Sequence, residues 1–387
     1  MKHGWLMAIV LGLLTGSAAA LQRGQSVVNT VHNLSASGPG GVHAVAEDQV
    51  CIFCHTPHNA APVQPLWNRT VPVSAYTVYG SNALDAEPGQ PTGTSKLCLS
   101  CHDGTIALGS ILSRDQIIMM AGGITTLPPG ESNLGTDLSD DHPISFAYTG
   151  TLVGRDPKLM HPAALPDHLR LDGNQELQCT TCHDAHDDSF GDFLVMGNAD
   201  AALCKSCHLI STTTIPAHRD CRACHQTHTA PSGPYLLTNE KISTTCLNCH
   251  DGSYSGAKDI AGQLQKLDVH DTDSPVDPVD PIPGHVTCAD CHNPHTMEQG
   301  ASFPPIIPPN FGTVSGVSIS GVPLEAAEYE YEVCFKCHAD DNALDESHIS
   351  RQITQINTRL EFDPAAISFH PVAGPGRNPN VPSLKPS

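Results

Sequence analysis

Apolar positions along this chain of 387 residues seldom recur at either the helical or the strand period. The longest apolar stretch runs from Trp5 to Leu14; it follows Lys2 and His3 and leads into Ala18, Ala19 and Ala20. That order reads as a secretory signal, residues 1–20, cleaved after Ala20. No apolar run of 18 or more residues follows it, so no transmembrane segment is expected. Two shorter runs, Ile106 to Leu112 and Ile117 to Met120, predict a small helix or strand pair within residues 103–178. Residues 343–362 are the best helix candidate, although β-branched side chains interrupt it. Segments 271–283, 303–310 and 372–387 are rich in Pro, which fixes φ and removes amide donors, so extended chain is expected there. The pattern predicts a mostly irregular fold with few short α-helices and turns.

Composition sharpens this. Gly and Pro together supply about 17% of the residues, aromatics 5% and charged residues 15%, where about 25% charged is typical. A chain this rich in breakers and poor in aromatics must bury something other than its own side chains. The 16 Cys and 23 His suggest what that is. The formal charge of -21 excludes a nucleic-acid binder, which needs a basic stripe to displace counterions.

Every Cys falls in a CxxCH motif. The eight copies are Cys51, Cys54, His55; Cys98, Cys101, His102; Cys179, Cys182, His183; Cys204, Cys207, His208; Cys221, Cys224, His225; Cys246, Cys249, His250; Cys288, Cys291, His292; and Cys334, Cys337, His338. This is the attachment signature of c-type haem. Two thiols three positions apart reach the two vinyl groups on one porphyrin edge, and the next residue sets an imidazole under the iron. Zinc sites also use CxxC pairs, and an exported chain can form disulfides, but neither needs a His after every second Cys. Eight covalently bound haem c groups are expected, at about 46 residues each after signal removal. That is too little protein to wrap each one, so the haems must pack together and form the core.

The motifs group into four modules, each opening with CxxCHxxH and closing with plain CxxCH. The expected boundaries are 21–150 (haems 1 and 2), 151–215 (3 and 4), 216–270 (5 and 6) and 271–387 (7 and 8), the last beginning with the acidic, Pro-rich linker and ending in an extended tail. The added histidines are His58, His186, His228 and His295. None can circle the macrocycle beside it to reach that iron's far face, so each is expected to ligate a neighbouring haem. Four more sixth ligands are needed if every iron is bis-His. His32, His142, His285 and His370 are favoured by their contexts, with His218 and His270 in reserve. His43, His161, His168 and His348 are expected at turns or in solvent. The five Met beyond the signal do not recur with the modules.

These strings carry a resemblance: CIFCHTPHNA with PLWNRT, CLSCHDGTIALG, DDHPIS, CTTCHDAHDD with FLVMGN, HVTCADCHNPH, and RLEFDP with SFHPV. Over most of residues 30–380 the chain resembles multihaem c-type cytochromes with doubled CxxCH motifs. The resemblance implies low-potential bis-His haems in proteins exported to the periplasm or outside the cell, serving anaerobic respiration of metals or other external acceptors, some of them as filaments. Related chains with RLEF and SFHPV often continue into further motifs, so the resemblance leaves His370 two targets, an iron of this chain or one beyond Ser387. The expected function is electron transfer, not enzymatic catalysis, with other redox proteins or further copies as partners. The competing reading is a multihaem reductase of a small oxyanion with one open iron; Lys205, Arg219 and Arg222 are the only local basic cluster.

Overall fold

The computed structural model describes residues 26–61, 66–211, 213–267, 269–270, 272, 286–339, 357–367 and 369–375. The chain is mostly irregular, as its scattered apolar pattern predicts. Strands β1 (Thr77–Val78) and β2 (Asp137–Leu138) pair in parallel. β3 (Phe146–Ala147) pairs antiparallel with β4 (Glu176–Leu177), and β5 (Gly316–Val317) with β6 (Pro323–Leu324). The helices are α1 (Gly93–His102), α2 (Gly150–Arg155), α3 (Cys179–Cys182), α4 (Ala202–Lys205), α5 (Ile242–His250), α6 (Ala261–Leu264), α7 (Cys288–Cys291), α8 (Glu330–Cys334) and α9 (Thr358–Glu361). Among the described residues no helix is long and apolar enough to cross a membrane.

Buried apolar side chains form small separate clusters. Ala44, Ile52, Phe53, Leu108, Ile111 and Met120 gather beside the first motif; Phe146, Tyr148, Leu152 and Leu177 surround β3 and β4; Tyr331, Phe335 and Ala339 lie at the last motif. The apolar runs at 106–112 and 117–120 form neither the helix nor the strand pair expected of them. They fold back as a loop in which the Ile118 amide donates to Gly109 O. A Cβ on Gly109 would lie 1.9 Å from Ile118 O, so this closure requires glycine. The helix and strand pair of the Cys-free stretch arise instead downstream, at α2 and β3–β4. The Pro-rich segment 303–310 also departs from the expected extended form: the Ile306 amide donates to Phe303 O, and Pro309–Phe311 make a 3₁₀ turn. Of the helix candidate 343–362, residues 343–356 lie outside the described residues and α9 occupies 358–361. The signal, nearly all of the acidic linker and tail residues 376–387 also lie outside them.

Motif type dictates local structure. Opening motifs occupy single helical turns: a 3₁₀ turn at Val50–Phe53, α3, a 3₁₀ turn at Cys221–Ala223, and α7. Capping boxes, Gln178 with Thr181 and Thr287 with Asp290, start α3 and α7. Closing motifs end or follow the short helices α1, α4, α5 and α8. Small polar residues let α1 approach α3 closely. Ser95 Oγ donates to Gln178 Oε1 at 2.6 Å, the Cys179 amide donates to Ser95 Oγ at 3.0 Å, and the Thr94 and Thr180 hydroxyls lie 2.7 Å apart. Ser243, buried in α5, repeats Ser95 three residues before a closing motif, and α5 packs on α7.

Candidate metal centres

The packing lines the motifs up in sequence order. Within a module the second Cys of the opening motif lies near the second Cys of the closing one: Cys54 by Cys101, Cys182 by Cys207, Cys224 by Cys249. Between modules the first Cys of the closing motif meets the first Cys of the next opening motif: Cys98 with Cys179, Cys204 with Cys221, Cys246 with Cys288. Cys291 continues the line to Cys334 and Cys337. Burial pushes the Cys54 and Cys182 thiols up to about 12.

Seven of the eight motif histidines face a second histidine. Ring centroids are 6.0 Å apart for His55 and His186, 6.1 Å for His102 and His32, 6.2 Å for His183 and His228, and 6.1 Å for His208 and His142. The remaining pairs are His225 with His295 at 6.1 Å, His250 with His218 at 6.3 Å and His338 with His270 at 6.1 Å. Aromatic rings in direct stacking contact lie closer, as His32 does on Phe193 at 4.1 Å. A ring nitrogen binds a first-row metal at about 2.0–2.1 Å and lies about 1.1 Å from its ring centre, so two axial imidazoles on one metal set their centroids about 6.3 Å apart. The seven gaps have the length that one metal atom needs. The donor set therefore fits a c-type haem: two thiols, a motif imidazole and an imidazole opposite.

Hydrogen bonds turn the rings for this task. Nδ1 of His102 donates to Ser132 O at 2.7 Å, that of His183 to Asp192 O at 2.8 Å and that of His225 to Tyr235 O at 2.8 Å. Those of His250 and His292 donate to Lys258 O and Asn310 O, each at 2.9 Å. A carbonyl can only accept, so Nδ1 carries the proton and Nε2 keeps its lone pair for a metal. On the facing side His32 donates to Ala185 O, His142 to Pro143 O, and His228 Nδ1 lies 3.0 Å from Asp141 Oδ1. Burial, aided by the facing imidazole, holds His55, His183, His218 and His338 below the ordinary histidine range, and pushes His142 down to about 4. Burial also lowers His208 and His295. Neutral imidazole is the form that binds a metal.

One rule covers the pairs. An opening-motif His faces the xxH histidine of the next module: His55 with His186, His183 with His228, His225 with His295. A closing-motif His faces a histidine upstream of its own module's opening motif: His102 with His32, His208 with His142, His250 with His218, His338 with His270. The two arrive together, because the upstream segment also docks the next module's xxH loop. Ser26 bridges Asp187 beside His32 and His186; the His142 amide donates to Thr227 O beside His228; the Thr213 amide donates to His295 O just before His218.

The structure therefore brings His32, His142, His186, His228 and His295 to motif histidines, and with them His218 and His270, the two reserves. His370 lies beside Phe362, centroids 6.2 Å apart, and His58 is exposed. His285 lies outside the described residues. His161 caps a 3₁₀ turn by accepting from the Ala163 amide, and His168 Nε2 lies 3.2 Å from Met196 Sδ. His43 Nδ1 lies 3.3 Å from Ala44 O, and His348 falls outside the described residues. Among the described residues no three or more His, Cys, Asp or Glu converge as an ion site.

Two side chains of the site carried no motif signal. Asp141 is buried against His228, and its acidic neighbours make it look like part of a solvated run. Arg69 is 0% exposed and donates to Leu108 O at 2.7 Å, Ser100 O at 3.0 Å and Ala107 O at 3.1 Å, placing a positive charge beside Cys54 and Cys101.

The doubled CXXCH motif family model matches residues 173–209 and 216–253, the second and third modules. A search of curated proteins returned no match.

Proposed function

We propose that the chain is a multihaem c-type cytochrome of electron transfer, a reading its doubled motifs support, that it carries eight covalent haem c groups in one row that follows the sequence, and that it passes single electrons along it. The observation that carries this is the set of seven facing histidine pairs at 6.0–6.3 Å, strung on cysteines that neighbour one another from motif to motif. When bound, haem c supplies one reversible Fe(III)/Fe(II) electron per site. The chain's own residues do the rest. The sixteen cysteines would attach the eight groups, and the nearness of cysteines from consecutive motifs would bring those groups together. The seven facing pairs would hold seven of the irons from both sides, which would keep those potentials low and leave substrate no coordination site at those seven. His186, His228 and His295 would each ligate across a junction and so tie each of the first three modules to the next.

The Trp5–Leu14 signal and the chemistry of c-type attachment outside the cytoplasm support export to the periplasm or beyond, with other redox proteins or further copies as partners. One observation favours the reductase reading: His292 faces no second histidine among the described residues, and Phe311 stands edge-on to it at 4.9 Å. The test is the intact mass of the holoprotein combined with carbon monoxide titration after reduction. Eight haems with at most one iron binding carbon monoxide are expected. Several open irons would contradict electron carriage by bis-His haems, and turnover of nitrite or a sulfur oxyanion would establish the reductase.

A further inference from the structure

We infer that a cleft where the second module meets the third binds an anionic oxygen group, a carboxylate or a small inorganic oxyanion, between Lys205 and Arg219.

The cleft has a volume of about 440 Å³ and is lined by Lys205, Ser211, Thr213, Thr214 and Arg219. Two cations and three hydroxyls meet there and no carboxylate lines it, in a chain with 19 Lys and Arg against 40 Asp and Glu. Concavity alone does not collect cations: a second cleft of the same volume, between Thr149 and Gln175, is lined by neither Lys nor Arg. Nor is the first cleft the gap between facing imidazoles, since no Cys and no paired histidine lines it.

The basic cluster of the sequence divides its labour here. Arg222 is spent on Asp220, which accepts from its Nε at 3.0 Å and from its Nη2 at 2.8 Å, and Arg222 does not line the cleft. Lys205 Nζ donates to one carbonyl, Asp200 O, at 2.6 Å; an ammonium has three donors, so two remain. The exposed guanidinium of Arg219 makes no hydrogen bond or ion pair among the described residues. Thr213 is buried and held from both sides. Its Oγ1 donates to Met297 O at 2.7 Å and accepts from the Ile215 amide at 3.2 Å. It fixes the wall, and the two cations with the hydroxyls of Ser211 and Thr214 face the space. A guanidinium and an ammonium are donors only, and their complement is an oxygen anion.

The same wall ties the cleft to the attachment sites. Lys205 lies within the fourth motif, Arg219 follows His218, and the Thr213 amide donates to His295 O. The group can therefore come from two sources: a propionate of a haem bound in this part of the row, or a free oxyanion meeting the row near its middle.

The experiment titrates sulfate by calorimetry, in a chloride buffer, into the full-length holoprotein, the double variant Lys205→Gln with Arg219→Gln, and Arg114→Gln, which removes a cation from the first module. Haem loading of each is confirmed by mass, and electron cryomicroscopy maps of wild type are recorded with and without sulfate. If the source is a free oxyanion, one sulfate binds per chain with a dissociation constant below about 1 mM, Arg114→Gln keeps that binding and the double variant weakens it about tenfold or more. If the source is a propionate, sulfate does not bind and the sulfate-free map shows density in the cleft continuous with a porphyrin. A cleft empty in both maps would overturn the inference, and so would sulfate binding that the double variant retains.

Discussion

Asp141 Oδ1 lies 3.0 Å from His228 Nδ1, and the carboxylate is buried while its other oxygen, Oδ2, has no hydrogen-bond partner. A buried anion hydrogen-bonded to an axial imidazole raises that ligand's basicity and favours the oxidised metal. Asp141 also accepts from the Thr229 amide, so it positions both the loop and its ring. Substituting Asp141→Asn keeps the shape and removes the charge. At roughly 1 kcal/mol, about 40 mV for one electron, the midpoint potential of the haem between His183 and His228 should rise. Spectroelectrochemical titration checks this; an unchanged or lower potential would show that the carboxylate does not tune the site.

Arg69 has the opposite influence at the first two motifs. Its buried guanidinium stands near Cys54 and Cys101, where positive charge favours the reduced metal. The Arg69→Met variant should lower the potentials of these two haems. It should also lower the thermal midpoint, since the carbonyls of Leu108, Ser100 and Ala107 lose their donor at about 1–3 kcal/mol for each one left dry. Potentials that stay fixed while stability falls would reduce Arg69 to a structural staple.

Gln178 joins the first two modules. Its buried side chain accepts from Ser95 Oγ at 2.6 Å and from Ser145 Oγ at 3.2 Å, and donates to the half-buried Asp172 Oδ2 at 3.0 Å. Replacement by Leu should destabilise the junction by roughly 2–3 kcal/mol, because polar partners lose their bonds without regaining water. Limited proteolysis of the holoprotein should then cut first between α1 and α3. Unaltered resistance would mean that the covalent cofactors alone hold the junction.

Acid should release the facing histidines in an order set by burial. The His142 pKa is pushed down to about 4, chiefly by burial and then by His208. As pH falls from about 6.5 towards 4, an unfolded chain takes up a proton there that the folded chain refuses, so stability is full above that window and is lost through it. Metal binding at Nε2 opposes the proton further. His142, buried against His208, should be among the last of the facing histidines to leave its site. Single-variant spectra followed through an acid titration would show this order, and an early loss at the His142 and His208 site would contradict it.

The sequence revealed the attachment chemistry and the irregular fold, because both are local: CxxCH contains its own geometry, and Gly and Pro break elements wherever they stand. That the xxH histidines belong beside another module's motif was also legible, and His186, His228 and His295 each face such a motif histidine, whereas His58 faces none among the described residues. Which neighbour was not, since His186 reaches His55 across 131 residues and only the docking of 185–187 on 26–32 decides it. The upstream histidines were harder. His270 and His370 sit in similar local strings, yet His270 faces His338 while His370 meets Phe362. His218, three residues before Cys221, stood only in reserve, but a 3₁₀ turn at Pro216–His218 carries its ring towards His250 in the same module. The buried roles of Asp141 and Arg69 left no trace in spacing or composition.

The central claim is a ligand ladder that runs across modules. The most direct measurement is a high-resolution electron cryomicroscopy map of the holoprotein, in which the ring on each iron is read by tracing the chain. The account predicts His186 on the iron of His55, His228 on that of His183 and His295 on that of His225. Maps showing those three rings in solvent, or on irons of their own modules, would contradict it.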